Sequence, residues 1–202
     1  MSRRARNVFG KEEPMGRIVV TEFVSLDGVM EDPGGSESFR HGGWTFEIAR
    51  GDEGDKFKLD ETFASDALLL GRKTYEGFAA AWPSRDGEFA DKFNTMPKYV
   101  VSSTLAEPEW QNSTVLKGDL ATEVTKLKQE YDGDVVVHGS AQLVHALLEQ
   151  DLVDQLRLMV FPVVLGSGKR VFGELNDKKP LRLVDSKTVG DGVAILTYEP
   201  VK

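Results

Sequence analysis

Apolar positions along this chain fall into two kinds of segment. Short continuous runs stand at 17–23 (with Ile-Val-Val-Thr), 67–70 (Ala-Leu-Leu-Leu), 98–103, 113–117 and 134–138. Such runs, bounded by glycine and polar residues, read as strands buried on both faces. Between them the apolar residues are spaced as on a helix: Phe57, Leu59, Phe63 and Ala64 over 53–65, a short helix from Thr74 to Ala81, Leu120, Val124 and Leu127 behind an Asp119 N-cap, and Leu143, Val144, Leu147 and Leu148 behind Gly139-Ser140. Glu31 to Gly43 and the stretch from Pro83 to Lys98 read as polar loops. Three strand-like segments, near 155–165, 181–189 and 193–199, close the chain. Strands alternating with helices and then a run of strands predict an α/β fold: a mixed sheet covered on both faces, its last strands paired antiparallel.

Length fits one domain, expected over 15–202, because 202 residues without a linker or internal repeat seldom divide in two. Residues 1–14, with Arg3, Arg4 and Arg6 but no periodicity, read as a solvated tail, or as an over-extended start ahead of Met15. A net charge of −8 disfavours nucleic acid and anionic membranes as partners, so an anionic ligand must be met by a local cluster of donors. With no cysteine there are no disulfides, thiolate nucleophiles or Cys-zinc sites. No apolar stretch is long enough for a membrane span or a secretory signal, and a cytoplasmic location is the expectation.

Three clusters gather chemistry at strand C-termini: Gly71-Arg72-Lys73-Thr74, Ser102-Ser103 and Gly139-Ser140. Ligands of open α/β sheets bind at that edge. Glycine lets a backbone approach closely, helix N–H groups meet an anion, and adjacent cations suit a dinucleotide carrying a 2′-phosphate, so NADPH fits better than NADH. Any one cluster alone reads more readily as a turn or cap; the three together favour a ligand. Asp27-Gly28 is equally a hairpin turn or a carboxylate placed to protonate a heterocycle. Trp44 and Trp82 stand beside loops and suit a planar substrate's pocket. Gly166-Ser-Gly168 fails both the phosphate-loop and the Rossmann pattern and is left as a glycine-rich loop flanking the pocket. His41, His138 and His145 lack metal-site spacing, and no metal is expected.

In order along the chain, Ser25-Leu-Asp-Gly28, Leu70-Gly-Arg-Lys-Thr-Tyr-Glu76, Val100-Val-Ser-Ser103, Val137-His-Gly-Ser140 and Phe161-Pro-Val-Val-Leu-Gly166 resemble the dihydrofolate-reductase-like superfamily. The likeness runs over about 15–200. It is nearest to the branch shared with the C-terminal reductase domain of bifunctional riboflavin-biosynthesis deaminase-reductases. The resemblance implies a three-layer α/β/α sandwich on a mixed, mainly parallel sheet of about eight strands, the number counted above. It implies an NADPH-dependent reductase acting on a small nitrogen heterocycle, with a cofactor-binding module that performs no chemistry as the alternative. By resemblance Gly71, Arg72, Lys73 and Thr74 hold NADPH phosphates, Ser102 and Ser103 the adenosine side, and Gly139 and Ser140 the pyrophosphate, with Leu143 and Gly166 also at the cofactor. Asp27 would be the acid, and Asp27, Trp44, Asp55 and Trp82 would meet substrate. The resemblance also implies a homodimer joined through the final strands. The folate-clamping arginine expected before the Ser-Ser strand is absent, the stretch reading Asn94-Thr-Met-Pro-Lys98, so folate itself is a poor fit.

Overall fold

The computed structural model describes residues 15–201; the expected tail at 1–14 lies outside them. The elements are β1 (Arg17–Ser25), α1 (Gly51–Ala64), β2 (Ser65–Gly71), α2 (Arg72–Ala81), α3 (Glu88–Thr95), β3 (Lys98–Val101), β4 (Ser113–Leu116), α4 (Leu120–Glu130), β5 (Asp134–Val137), α5 (Ala141–Glu149), β6 (Gln155–Phe161), β7 (Leu181–Val189) and β8 (Val193–Pro200). They form one eight-stranded sheet in the order β4-β3-β2-β5-β1-β6-β8-β7. The pairings from β4 across to β6 are parallel, and only β8 with β6 and β7 runs antiparallel. The expected mixed, mainly parallel sheet of eight strands is therefore present.

The continuous apolar runs are the middle strands, and their alternating side chains supply both layers of core. Ile18, Val20, Leu69, Val135 and Val137 pack on α4 and α5, while Val19, Leu68, Leu70 and Val136 pack on Tyr75 of α2 and Phe93 of α3. Each fully buried Val or Leu contributes about 1.5–3 kcal/mol of transfer free energy, so these strands anchor the sheet. Two local expectations are corrected. The polar loop before Lys98 contains α3, whose Ala90 and Phe93 bury a narrow stripe among charged residues. In α1 the buried residues are Gly54, Lys58, Glu61 and Thr62, while Phe63 is 49% exposed. The inward stripe of that helix is polar because it faces charge rather than oil.

Strand lengths set up the functional edge. β5 pairs with β1 only as far as Val20↔Val137, whereas β1 continues beside β6 to Ser25↔Phe161. Residues 21–25 thus have a strand on one side only, and their other side is bounded by the turn that leaves β5. A crevice follows at the point where the chain, having crossed from β1 to β2, returns through β5 between them.

Candidate active site

Two strand-to-helix corners meet beside this crevice. At the first, β2 ends at Gly71 and α2 begins at once with Arg72; at the second, β5 passes through His138 and Gly139 to Ser140, the N-cap of α5. The Gly71 amide donates to the Gly139 carbonyl at 3.1 Å, locking the corners together. A Cβ on Gly71 would lie 2.3 Å from Ser140 Oγ, so only glycine permits this approach. Gly139 has φ +83°, and a Cβ there would stand 3.1 Å from Thr74 Oγ1. Neither helix has a side-chain cap on its N-terminus. The first-turn N–H groups of both helices, orphaned by helix geometry, therefore point their partial positive charge into one corner.

That corner opens on a cavity of about 400 Å³, which Lys73, Thr74, Gly139 and Ser140 line. One wall is aromatic: Phe78, Trp82, Phe89 and Phe93, with ring centroids of Trp82 and Phe89 5.2 Å apart in a stack. The Arg85 guanidinium sits 4.5 Å from the Trp82 ring centroid at the rim. The opposite wall is the unpaired stretch of β1, which contributes Thr21, Glu22 and Phe23. Near the mouth Lys169 binds Glu31, and that hydrogen bond holds the Glu31 carboxyl below its ordinary range.

Beneath the cavity lies a buried charge network. Lys58 of α1 is ion-paired with Glu61 one turn on and donates to Thr21 Oγ1 at 2.9 Å, while the Thr21 hydroxyl donates to Glu61 Oε2 at 3.0 Å. Arg157 of β6 reaches the other Glu61 oxygen at 3.3 Å and Asp134 at 2.7 Å. Burial pushes the Glu61 carboxyl up, but the charges of Lys58 and Arg157 outweigh it and keep it ionised. His138 is pushed down to about 3, first by burial and then by Lys58, against the pull of Glu61, and is a neutral imidazole. Glu22 is 9% exposed and lines the cavity, and its Oε1 has no hydrogen-bond partner among the described residues. Burial raises its carboxyl well above the ordinary value, more than Lys58 and the Gly139 amide lower it.

Of the expected site residues, Lys73, Thr74, Gly139, Ser140 and Trp82 come together on the cavity. Gly71 stands directly behind Ser140, and Leu143 has its side chain in the core while its amide belongs to the first turn of α5. Arg72 points outward to Glu76 at 2.7 Å. Ser102 Oγ accepts the amides of Thr104 and Leu105 at 3.2 and 2.9 Å, and Ser103 is exposed beyond it. Neither serine lines the cavity, although both stand at the same sheet edge.

Four residues take other roles than those expected. The Asp27 carboxylate accepts Ser25 Oγ at 2.7 Å and the amides of Leu165 and Gly166 at 3.1 and 2.9 Å, and lies outside the cavity lining. Those bonds, the Ser25 hydroxyl first, hold it down at about 2, where a carboxyl is no proton donor at neutral pH. Gly166 is the partner of Asp27 in that turn. Trp44 is 2% exposed, its indole N–H donating to the Glu31 carbonyl at 2.9 Å and its ring packed on Phe161, so it is core. Asp55 lies on the outer side of α1, paired with Arg50 at 2.6 Å. The helix residues that do face the cavity network are Lys58 and Glu61. They escaped the sequence reading, although Gly54, Lys58, Glu61 and Thr62 form a polar stripe at helical spacing, the visible mark of a helix facing a polar cleft. Glu22, a lone acid inside a buried strand, was the other available signal.

The family model of the RibD C-terminal domain matches residues 17–195. This chain belongs to that family. The Bacillus subtilis (strain 168) protein YyaP, described as uncharacterized, is 29% identical over 187 residues, 90% of this chain and 94% of YyaP. Among solved structures, a Shewanella sp. PV-4 protein assigned to riboflavin biosynthesis superposes with TM-score 0.76 at 23% identity, covering 92% of this chain and 99% of that one. Dihydrofolate reductase from Enterococcus faecalis, solved with NADP(H) and RAB-propyl, superposes with TM-score 0.56 at 15% identity over 93% and 98% of the two chains. The RibD C-terminal domain family and the dihydrofolate-reductase-like fold are thus both present in this chain.

Proposed function

We propose that this RibD-type domain is an NADPH-dependent reductase that delivers hydride to a small, planar nitrogen heterocycle of the aminopyrimidine or pteridine kind. The observation that carries this reading is the meeting of two uncapped helix N-termini, one from α2 and one from α5, at a glycine-lined corner with Lys73 at its rim. Such a corner fits a pyrophosphate, since backbone amides and a cation converge where no side chain intervenes. The amides of residues 72–74 and 141–143, Thr74 Oγ1 and the Lys73 ammonium would hold it, with Arg72, Ser102 and Ser103 further along the same edge for the adenosine half. Bound NADPH supplies hydride. The aromatic wall of Phe78 and Trp82 offers a face for a flat ring.

Family membership supports a reductase. The test is NADPH oxidation by the purified chain across a panel of ribosylaminouracils, pteridines and quinones. Turnover of a pyrimidine or pteridine is the expected result, whereas tight NADPH binding with no turnover of any of them would favour a cofactor-binding module. The same reading carries a homodimer through the open edge strand β7, where Leu183 is 49% and Val184 41% exposed. A monomer by light scattering at micromolar concentration would remove that part.

A further inference from the structure

Among the described residues two buried acids line the cavity without a counter-ion, Asp32 and Glu22; the Asp32 carboxylate accepts the amides of Ser36 and Phe39 at 2.7 and 3.2 Å, whereas Glu22 has an Oε1 that accepts nothing. It projects from the stretch of β1 that β5 leaves uncovered, and its Oε1 and the Met30 methyl lie 3.8 and 3.7 Å from where a Cβ on Gly139 would be. The groups that face it come from every neighbouring element. Lys58 and Glu61 of α1 are paired with each other, Arg157 of β6 is spent on Glu61 and Asp134, and His138 is neutral. Lys73 stands at the rim on α2, and Glu31 in the loop after β1 is bound to Lys169. Each nearby cation therefore already has a partner or stands at the rim. A carboxylate at Glu22 would be buried beside an ion pair that is already satisfied, and its neutral form is the one this site accommodates.

We propose that Glu22 is the acid of this site, holding a proton while the cavity is empty or filled by a neutral ring, and releasing it when positive charge enters. This rests on the reductase reading above. Reduction of a carbon–nitrogen double bond by hydride needs one proton for the nitrogen. Glu22 supplies it, its O–H bond breaking as the N–H bond forms, while the two electrons come with hydride from NADPH, which is oxidised. The carboxylate so formed is stabilised by the cationic nicotinamide of the oxidised dinucleotide and recovers its proton from water when that dinucleotide leaves. Asp27, turned away and already ionised, cannot do this.

The consequence is readable without any substrate. Oxidised and reduced dinucleotides carry the same phosphates but differ by one positive charge on the ring, so comparing them cancels phosphate titration. NADP⁺ and NADPH are titrated calorimetrically into the full chain from about pH 6 to 8, in two buffers of different protonation enthalpy. In the wild type, NADP⁺ affinity relative to NADPH is expected to rise by up to about tenfold per pH unit below the Glu22 pKa, with release of up to about one extra proton. Glu22→Gln keeps shape and hydrogen bonding, and is expected to bind NADPH as the wild type does and to lose both the slope and the proton release. As a check independent of any variant, carboxyl carbon NMR of the wild type is expected to show one glutamate still protonated near neutral pH. A pH slope that survives in Glu22→Gln, a flat wild-type profile, or no such protonated glutamate overturns the proposal while leaving the reductase reading intact. Failure of either dinucleotide to bind removes the reductase reading, and this inference with it.

Discussion

At the end of β2 and at the end of β1 the chain makes the same kind of move, a strand running into a polar, glycine-containing turn at the C-terminal edge of one sheet. The hydrogen bonds of the two turns go to different places. At Gly71 the strand turns into a helix whose leading amides no side chain caps, and the turn after β5 does the same beside it. At Ser25–Gly28 the side-chain oxygens are already engaged. Asp27 takes the Ser25 hydroxyl and two amides from the loop after β6, Val29 donates to Ser25 Oγ, and Arg170 bonds the Asp27 carbonyl. A strand-end motif can bind a ligand only with donors it has not spent on itself. The first corner therefore keeps the donors that the proposed cofactor site needs, and the second is a clasp.

Substitutions at the two corners should separate accordingly. The largest effect is expected from Gly71→Ala, whose new methyl would meet Ser140 Oγ at 2.3 Å and Ser140 N at 3.0 Å. Overpacking of this kind costs about 1–3 kcal/mol, and NADPH binding should fall below detection; thermal melts and a fluorescence titration report both. Lys73→Ala should leave stability unchanged and weaken NADPH about tenfold, the worth of one charge-assisted contact. Asp27→Asn should behave in the opposite way, losing some stability while NADPH affinity stays within about twofold. Binding lost in Asp27→Asn and retained in Lys73→Ala would reverse the assignment of the two corners.

Acid sharpens the contrast further. His138, beside the open corner, has its folded pKa lowered from 6.5 to about 3, so the unfolded chain binds a proton that the folded chain refuses. Stability present above 6.5 should decline on acidification through that window, by up to about 1.4 kcal/mol per pH unit. Asp27, lowered from 3.8 to about 2, contributes stability that is present above 3.8 and lost only as pH falls below it. His138→Gln should flatten the melting temperature between about pH 4 and 6.5, whereas Asp27→Asn should leave that limb in place. The smallest effect is expected from Arg72→Ala. Its exposed pair with Glu76 is worth under about 0.5 kcal/mol, so melts should not move, and only the preference for NADPH over NADH should narrow.

The contrast also marks how far the sequence could be read. Continuous apolar strands such as Val135–Val137 announced themselves by their β-branched run between polar and glycine residues, whereas the Gly71 and Gly139 corners stood out only together, each alone reading as a turn or cap. Asp27 misled because a carboxylate after a strand has the same sequence signature whether it faces a ligand or closes a turn. Only the position of Leu165 and Gly166, some 140 residues later, decides between them. The counting that pointed to Asp55 reached a residue on the outer side of α1, paired with Arg50. In α1 Phe57 is half-buried against the Trp44–Phe161 cluster and Phe63 is exposed, while the polar stripe of Lys58 and Glu61 faces a charge network built with Thr21 and Arg157 from two strands. The stripe's spacing was there to read in α1, but its partners on the two strands were not. Glu22 stood out as a lone acid in an apolar strand, but its meaning depends on β5 ending where it does.

The central claim, that the α2 and α5 amides are free and receive the cofactor, is tested most directly by backbone amide exchange with and without NADPH. The account predicts fast exchange at residues 72–74 and 141–143 in the free protein and strong protection on binding, with Leu165 and Gly166 protected throughout. Unchanged exchange at both helix starts in NADPH-saturated protein, or protection arising instead at the Asp27 turn, would contradict it.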